Sequence, residues 1–230
     1  MTSGVTITGI SSMATRRVLA DLSAAYEKRF RQRVAVEFAG GVDVVRRIET
    51  GEVFDFVVLA AAAIDKLAAA GLVDAATCTN LARSRVAIAV PAGAHHPDLR
   101  TEAAVRAAVL AAARVGYSTG PSGEHFAALL RRWGIDDVMA PRLVKAPPGV
   151  PVGALLARGE VDMGLQQLSE LIGAPGIDVA GTLPAEIAAV TVFAGAVCTA
   201  SAQHAAARAL LSFYAADEFD DTKRRYGMEP

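Results

Sequence analysis

The chain has 230 residues, 53% of them hydrophobic and 20% charged, with 23 Lys and Arg against 24 Asp and Glu for a net charge of −1. That length buries a full core as one large domain or two small ones. The charge balance gives no surface for nucleic acid, since Arg16-Arg17, Arg46-Arg47 and Arg131-Arg132 are scattered along helical segments, and no segment approaches bilayer-spanning length.

Met1-Thr2-Ser3-Gly4 leads straight into a candidate strand, Val5–Thr8, with no basic start and no apolar signal core. The chain as given is therefore read as cytoplasmic, or as periplasmic with a leader removed. Gly9 to Ser12 reads as a turn, and apolar residues at Val18, Leu22, Ala25, Tyr26 and Phe30 predict a helix over 13–30. Strand 34–38 follows, then Ala39-Gly40-Gly41, helix 42–50 with Gly51 as its stop, strand 54–60, and helix 64–70 closed by Gly71. This alternation predicts parallel pairing.

The apolar run 86–90 is the next strand, ended by Pro91; helix 102–113 and strand 115–118 follow. Ser118 to Gly123 forms a third hydroxyl- and glycine-rich turn before helix 122–133. Strand 143–145, the stiff bend Pro147-Pro148-Gly149, helix 152–158 stopped by Gly159, and strands 163–167, 177–180 and 190–197 come next. The chain closes with helices 202–214 and 217–225. Helix-Gly51-Glu52-Val53 with Asp55 is echoed by helix-Gly159-Glu160-Val161 with Asp162, which favours two lobes of similar construction. Lobe I is expected at 1–84 plus 191–230 and lobe II at 85–190, with two crossing strands as a hinge over a cleft.

Three strand-to-helix turns carry the functional signal: Gly9–Ser12, Ala39–Gly41 and Ser118–Gly123. A helix start has unpaired N–H donors and the positive end of the helix dipole, so converging starts hold a small anion without a lysine or arginine. Ordinary N-capping is the competing account of Ser11, Ser12, Thr119 and Ser122. Gln166-Gln167 lies in an otherwise apolar strand, and a buried amide without a partner costs about 1–3 kcal/mol, so at least one should face a polar cleft. Cys78 and Cys198 fit no metal spacing and neither do His95-His96, His125 and His204; no metal and no cofactor are expected.

This layout resembles the molybdate-binding proteins of ABC importers, within the type II periplasmic solute-binding proteins. The likeness rests on the strand before Ser11-Ser12, Gly40-Gly41, the Asp55 strand, the run 86–91 and the tail through Tyr226-Gly227-Met228. It implies a two-lobe α/β fold, each lobe a mostly parallel sheet flanked by helices, and an interlobe anion site. Carried over residue by residue, Ser12 or Ser11 falls on the first ligand turn and Gly40-Gly41 on the second, where a usual serine is missing. Thr119, Ser122 and Gly123 fall on a third loop, Gly149-Val150 on a fourth, and Gln167 where a ligand-binding tyrosine often stands.

The lost hydroxyl, the added glycines and Gln166-Gln167 favour a larger organic carboxylate over molybdate. Bacterial aconitate isomerases resemble the same proteins, so isomerisation of a small unsaturated polycarboxylate is the alternative, with Glu124 and His125 as candidate proton carriers. Molybdate or tungstate capture for an ABC importer, and a sensor without catalysis, are further alternatives. The expected partners are a small anionic ligand and, if the chain is exported, an ABC permease; neither nucleic acid nor membrane insertion is expected.

Overall fold

In the computed structural model, residues 5–147 and 149–230 are described; the expectations for Met1–Gly4 and for Pro148 fall outside them. Strand β1 (Ile7–Ser12) passes through a 3-10 turn into α1 (Arg16–Phe30), followed by β2 (Val34–Ala39), α2 (Gly41–Glu49), β3 (Phe56–Ala60) and α3 (Ala61–Ala69). Then come β4 (Thr79–Pro91), α4 (Glu102–Ala111), β5 (Val115–Tyr117), α5 (Pro121–Arg132), α6 (Asp136–Met139), β6 (Leu143–Lys145) and α7 (Val152–Ala157). The chain ends with β7 (Met163–Gln167), α8 (Leu168–Leu171), β8 (Ile177–Thr182), β9 (Val190–Val197), α9 (His204–Ala215), α10 (Asp220–Arg225) and β10 (Met228–Glu229).

Two compact units emerge: the chain up to Arg83 together with Val192–Pro230, and Ser84–Thr191. Both boundaries fall inside strands, β4 and β9. In the first unit β1 pairs in parallel with β2 and β3, and β9 runs antiparallel on β3. In the second, β5 pairs in parallel with β6 and β7, and β4 runs antiparallel on β7. The strand orders β2-β1-β3-β9 and β6-β5-β7-β4 are therefore the same plan used twice.

The sequence echo is a structural one. After α2, Gly51 takes a φ of +89° while its N–H and that of Glu52 close back on Ile48 and Arg47; after α7, Gly159 at +69° and Glu160 close on Leu156 and Leu155. A left-handed residue at this position ends a helix cheaply only when it is glycine. The aspartate that follows ties the next strand to the central one. Asp55 accepts the Thr8 N–H at 2.8 Å, and Asp162 accepts those of Ala113 and Arg114 at 2.8 and 2.6 Å.

Each unit fills its own core. Ile7, Leu19, Phe56, Phe193, Leu211 and Tyr214 pack on the α1 and α9 side of the first sheet, and Ile10, Val44, Val57, Leu59 and Ile64 on the α2 and α3 side. In the second unit Val105, Phe126, Met139 and Leu165 pack together, and Ala87, Ala89, Val152 and Leu156 form a separate cluster. Strands apolar on both faces, such as Phe56–Leu59, are what a sheet covered on both sides requires.

Several boundaries differ from expectation. The strand expected to end at Thr8 runs to Ser12, and it includes Gly9, where a Cβ would overlap the Phe56 ring. Strand β4 starts at Thr79, not Val86; its first half, Thr79–Arg85, is mostly polar without regular alternation and lacks the continuous hydrophobic run that marks the second. The expected helix 217–225 breaks into a 3-10 turn and α10, whose Lys223 is buried and donates to the Ala215 and Ala216 carbonyls at 3.2 and 3.4 Å. There an ammonium meets the last carbonyls of α9, the negative end of that helix.

Candidate functional site

In the first unit the C-terminal ends of three neighbouring strands turn into helices. Register sets Ser12 beside Ala39, so the β1 and β2 corners adjoin. Ser11 points inward: its hydroxyl donates to the Val58 carbonyl at 3.1 Å and shares a 2.5 Å hydrogen bond with Thr15. That hydroxyl pins the corner to β3. Ser12 is half-buried and caps the 3-10 turn, accepting the Ala14 N–H at 3.3 Å, with its own proton left to donate.

Gly40 and Gly41 are not required by the fold. Gly40 caps α2 at φ −61° and ψ 140°, which any residue adopts. A Cβ at Gly40 would meet nothing within 4 Å, and one at Gly41 only Leu59 at 3.8 Å. Glycine in a helix costs roughly 1 kcal/mol relative to alanine. The bare backbone at this corner is what an approaching ligand needs.

In the second unit the ends of β5, β6 and β7 lie side by side, with Tyr117 in register with both Lys145 and Leu165. The loop after β5 passes Ser118 and half-buried Thr119 to Gly120, which caps α5; a Cβ on Gly120 also meets nothing within 4 Å. Buried Ser122 bonds the Ser118 hydroxyl at 2.9 Å. Gly123 is different, because a Cβ there would overlap the Ser118 carbonyl oxygen. Glu124 is exposed at the start of α5, and the His125 ring is bonded to the Ile187 carbonyl at 2.9 Å.

After β6, Gly149 takes a φ of +76° and the Val150 N–H closes on Pro147. Helix α7 has no cap from its own loop. Gln166 on β7 supplies one, accepting the Val152 N–H at 2.9 Å. Its neighbour Gln167, on the other face of the strand, is only 2% exposed and is bonded to the Thr191 hydroxyl at 2.7 Å. The other end of that carboxamide, Oε1, has no partner. Whichever way the amide is turned, Thr191 serves one end only.

The sequence reading missed Glu170, in the single turn of α8 directly after Gln167. Its carboxyl is held by the Gln166 amide, and burial outweighs that hydrogen bond to push the group up to about 7. The available signal was an acid inside the apolar stretch Leu168–Ile172, four residues after Gln166. No cluster of three His, Cys, Asp or Glu among the described residues is placed to hold a metal, and no helix among them is long and apolar enough to cross a membrane. What the corners offer is amide and hydroxyl donors at strand ends, the usual ligand side of an open α/β sheet.

The profile of bacterial extracellular solute-binding proteins matches residues 7–229. An aconitate isomerase from Pseudomonas sp. is 32% identical over 231 residues, covering 98% of this chain and 88% of that protein. The periplasmic molybdate-binding protein of Azotobacter vinelandii superposes with a TM-score of 0.82 at 18% identity, covering 97% of this chain and 99% of that one. The sulfate-binding protein SubI from Mycobacterium tuberculosis does so at 0.78 and 20% identity, covering 98% and 87%. The two structures establish a type II periplasmic-binding-protein fold.

Proposed function

The chain belongs to the bacterial extracellular solute-binding protein family, and from that premise we propose that it captures a small organic anion bearing more than one carboxylate. In the second unit the corners at Thr119, Gly120, Ser122, Gly149, Val150 and Gln167 supply the donors; the first unit presents its own set at Ser12, Gly40 and Gly41. The observation that carries this reading is the half-satisfied Gln167 carboxamide, an unpartnered polar edge buried at the strand end. A buried amide edge costs about 1–3 kcal/mol until something bonds it. The bare glycine backbone at the corners suits a ligand larger than a compact tetrahedral oxyanion. As an importer component the protein would pass its ligand to an ABC permease.

A thermal-shift panel of molybdate, tungstate, sulfate, citrate, cis-aconitate and trans-aconitate tests the ligand class. A ligand at 100 times its Kd adds about 2.7 kcal/mol to stability. The polycarboxylates are expected to raise the midpoint, and Gln167→Ala to lose most of that rise. A rise with molybdate and tungstate alone would overturn the reading.

A second reading has its own support. The 32% identity with an aconitate isomerase extends over nearly the whole of this chain, and it favours turnover of a small unsaturated polycarboxylate in the same site. Proton NMR of cis-aconitate with catalytic amounts of protein tests it; an unchanged spectrum after hours removes that substrate.

A further inference from the structure

We propose that Thr191 positions Gln167 in the ligand site. Its hydroxyl lets the Gln167 carboxamide invert, so the strand end offers an N–H to a ligand carboxylate or an oxygen to a ligand hydroxyl. This rests on the polycarboxylate reading above. Gln167 is the last residue of β7 and lies in register with Val86 of β4. The Val86 N–H closes on the Ala189 carbonyl at 3.0 Å, which brings the start of β9 to the same corner. There the Gln167 amide donates to the hydroxyl of half-buried Thr191 at 2.7 Å.

The carboxamide lies on the sheet face that carries the third turn. Side chains alternate along a strand, so Gln167 shares the face of Leu165, which packs with Phe126 of α5 and with Tyr117. Tyr117 is level with Leu165 in the parallel pair of β5 and β7; two residues further, the same register brings Thr119 level with Gln167. A Cβ on Gly123 would lie 3.3 Å from the Tyr117 ring, so the first turn of α5 covers that face. The unpartnered Gln167 oxygen therefore belongs to the corner of Thr119, Gly120 and Ser122, all within the second unit.

The two glutamines of β7 differ in what their partners allow. Gln166, on the opposite face, holds the Val152 N–H, a group that only donates, so its oxygen has one possible direction. Thr191 presents a hydroxyl, which accepts from the amide as it stands and donates to the Gln167 oxygen once the carboxamide has turned. The last torsion of a glutamine side chain is broad and roughly two-fold, so the turn itself costs little. The backbone does not follow. Buried Ser84 and Ser169 share a hydrogen bond at 3.3 Å, and the Ser169 N–H meets the Ser84 hydroxyl at 3.4 Å, just past Gln167. As it stands the unpartnered end is an acceptor, which suits a ligand hydroxyl. An ionised carboxylate has no proton to give and takes the inverted form. A fixed acceptor would instead reject the unhydroxylated ligand by orders of magnitude.

The test is calorimetry with cis-aconitate and with citrate and tricarballylate, two tricarboxylates of one skeleton with and without a hydroxyl. Wild type is expected to bind all three, with the Kd values of citrate and tricarballylate within about tenfold of each other. Thr191→Val keeps the shape and loses the hydroxyl, and should weaken both by about tenfold or more. Thr191→Ser should stay within a few-fold of wild type. A purely structural role would not rank the variants this way, since valine is at least as good a strand residue as serine. In the ligand-free protein Thr191→Val should lower the thermal midpoint, and in the Gln167→Ala background it should not, because the amide it serves is gone. Should the valine variant fail to fold, Thr191→Ala carries the same expectations. Thr191→Val that binds both ligands as wild type does, or lowers the midpoint equally in both backgrounds, would overturn the role of Thr191 while the polycarboxylate reading stands. A preference of wild type between citrate and tricarballylate of about 100-fold or more would mean a fixed amide and overturn the inversion. A wild type that binds none of the three would overturn the proposal and the reading together.

Discussion

A carboxyl buried beside neutral amides reverses the usual pH dependence of an acidic side chain. In the unfolded chain Glu170 titrates near 4.5, and in the folded protein near 7. Below about 4.5 both states hold the proton and the group contributes nothing to the pH slope. Between the two values the folded state keeps a proton that the unfolded state has lost, so stability falls as pH rises, and above about 7 it levels off. The whole excursion is bounded at about 3 kcal/mol. Urea unfolding at pH 5 and pH 8 should therefore show wild type losing stability relative to Glu170→Gln over that interval. A difference between the two proteins that does not change with pH would show that the carboxyl is solvated. The glutamine pair was legible because two amides in an apolar strand demand partners. Glu170 was not, because a four-residue helix has too little periodicity to be read, and the burial that raises its affinity for a proton exists only once the chain is folded.

The glycines separate corners whose backbone the fold requires to be bare from corners where it does not. At Gly123 a side chain would strike the Ser118 carbonyl, whereas at Gly40 it would enter open space at an ordinary backbone angle. Gly123→Ala should thus cost about 2 kcal/mol or more, as overpacking does when backbone must move, and lower the thermal midpoint. Gly40→Ala should lower the midpoint only slightly, since alanine is a poorer N-cap than glycine but meets no clash there, and yet weaken polycarboxylate binding at least tenfold by calorimetry. A Gly40→Ala protein that binds normally would remove that corner from the site. In the sequence both positions look alike, each a glycine at a strand-to-helix turn. Only the distance to Ser118 or its absence tells them apart. The mostly parallel α/β arrangement was readable because Val57–Leu59 and Leu165 continue apolar runs bounded by glycine stops. The early half of β4 was not readable, since Thr79–Arg85 owes its extended form to pairing and not to its own pattern.

At the scale of the whole molecule, the repeated plan has an energetic consequence. The apolar clusters given above lie within one unit or the other, and the aspartate ties at Asp55 and Asp162 are likewise internal to each. The chain passes between units inside β4 and β9. Loss of packing in one core therefore acts first on amides of that unit, as in proteins whose cooperative parts open separately. Phe126, fully buried in the second unit, packs with Val105, Met139 and Leu165. Phe126→Ala should cost about 3–5 kcal/mol, and hydrogen exchange should quicken most in α4, α5 and β5. Protection in β1 and α1, which pack through Ile7, Leu19 and Phe56 in the other unit, should change little. Leu19→Ala should give the mirror-image pattern. Equal acceleration across both units in either variant would mean that the protein opens as a single cooperative body, with the strands β4 and β9 coupling the two cores fully.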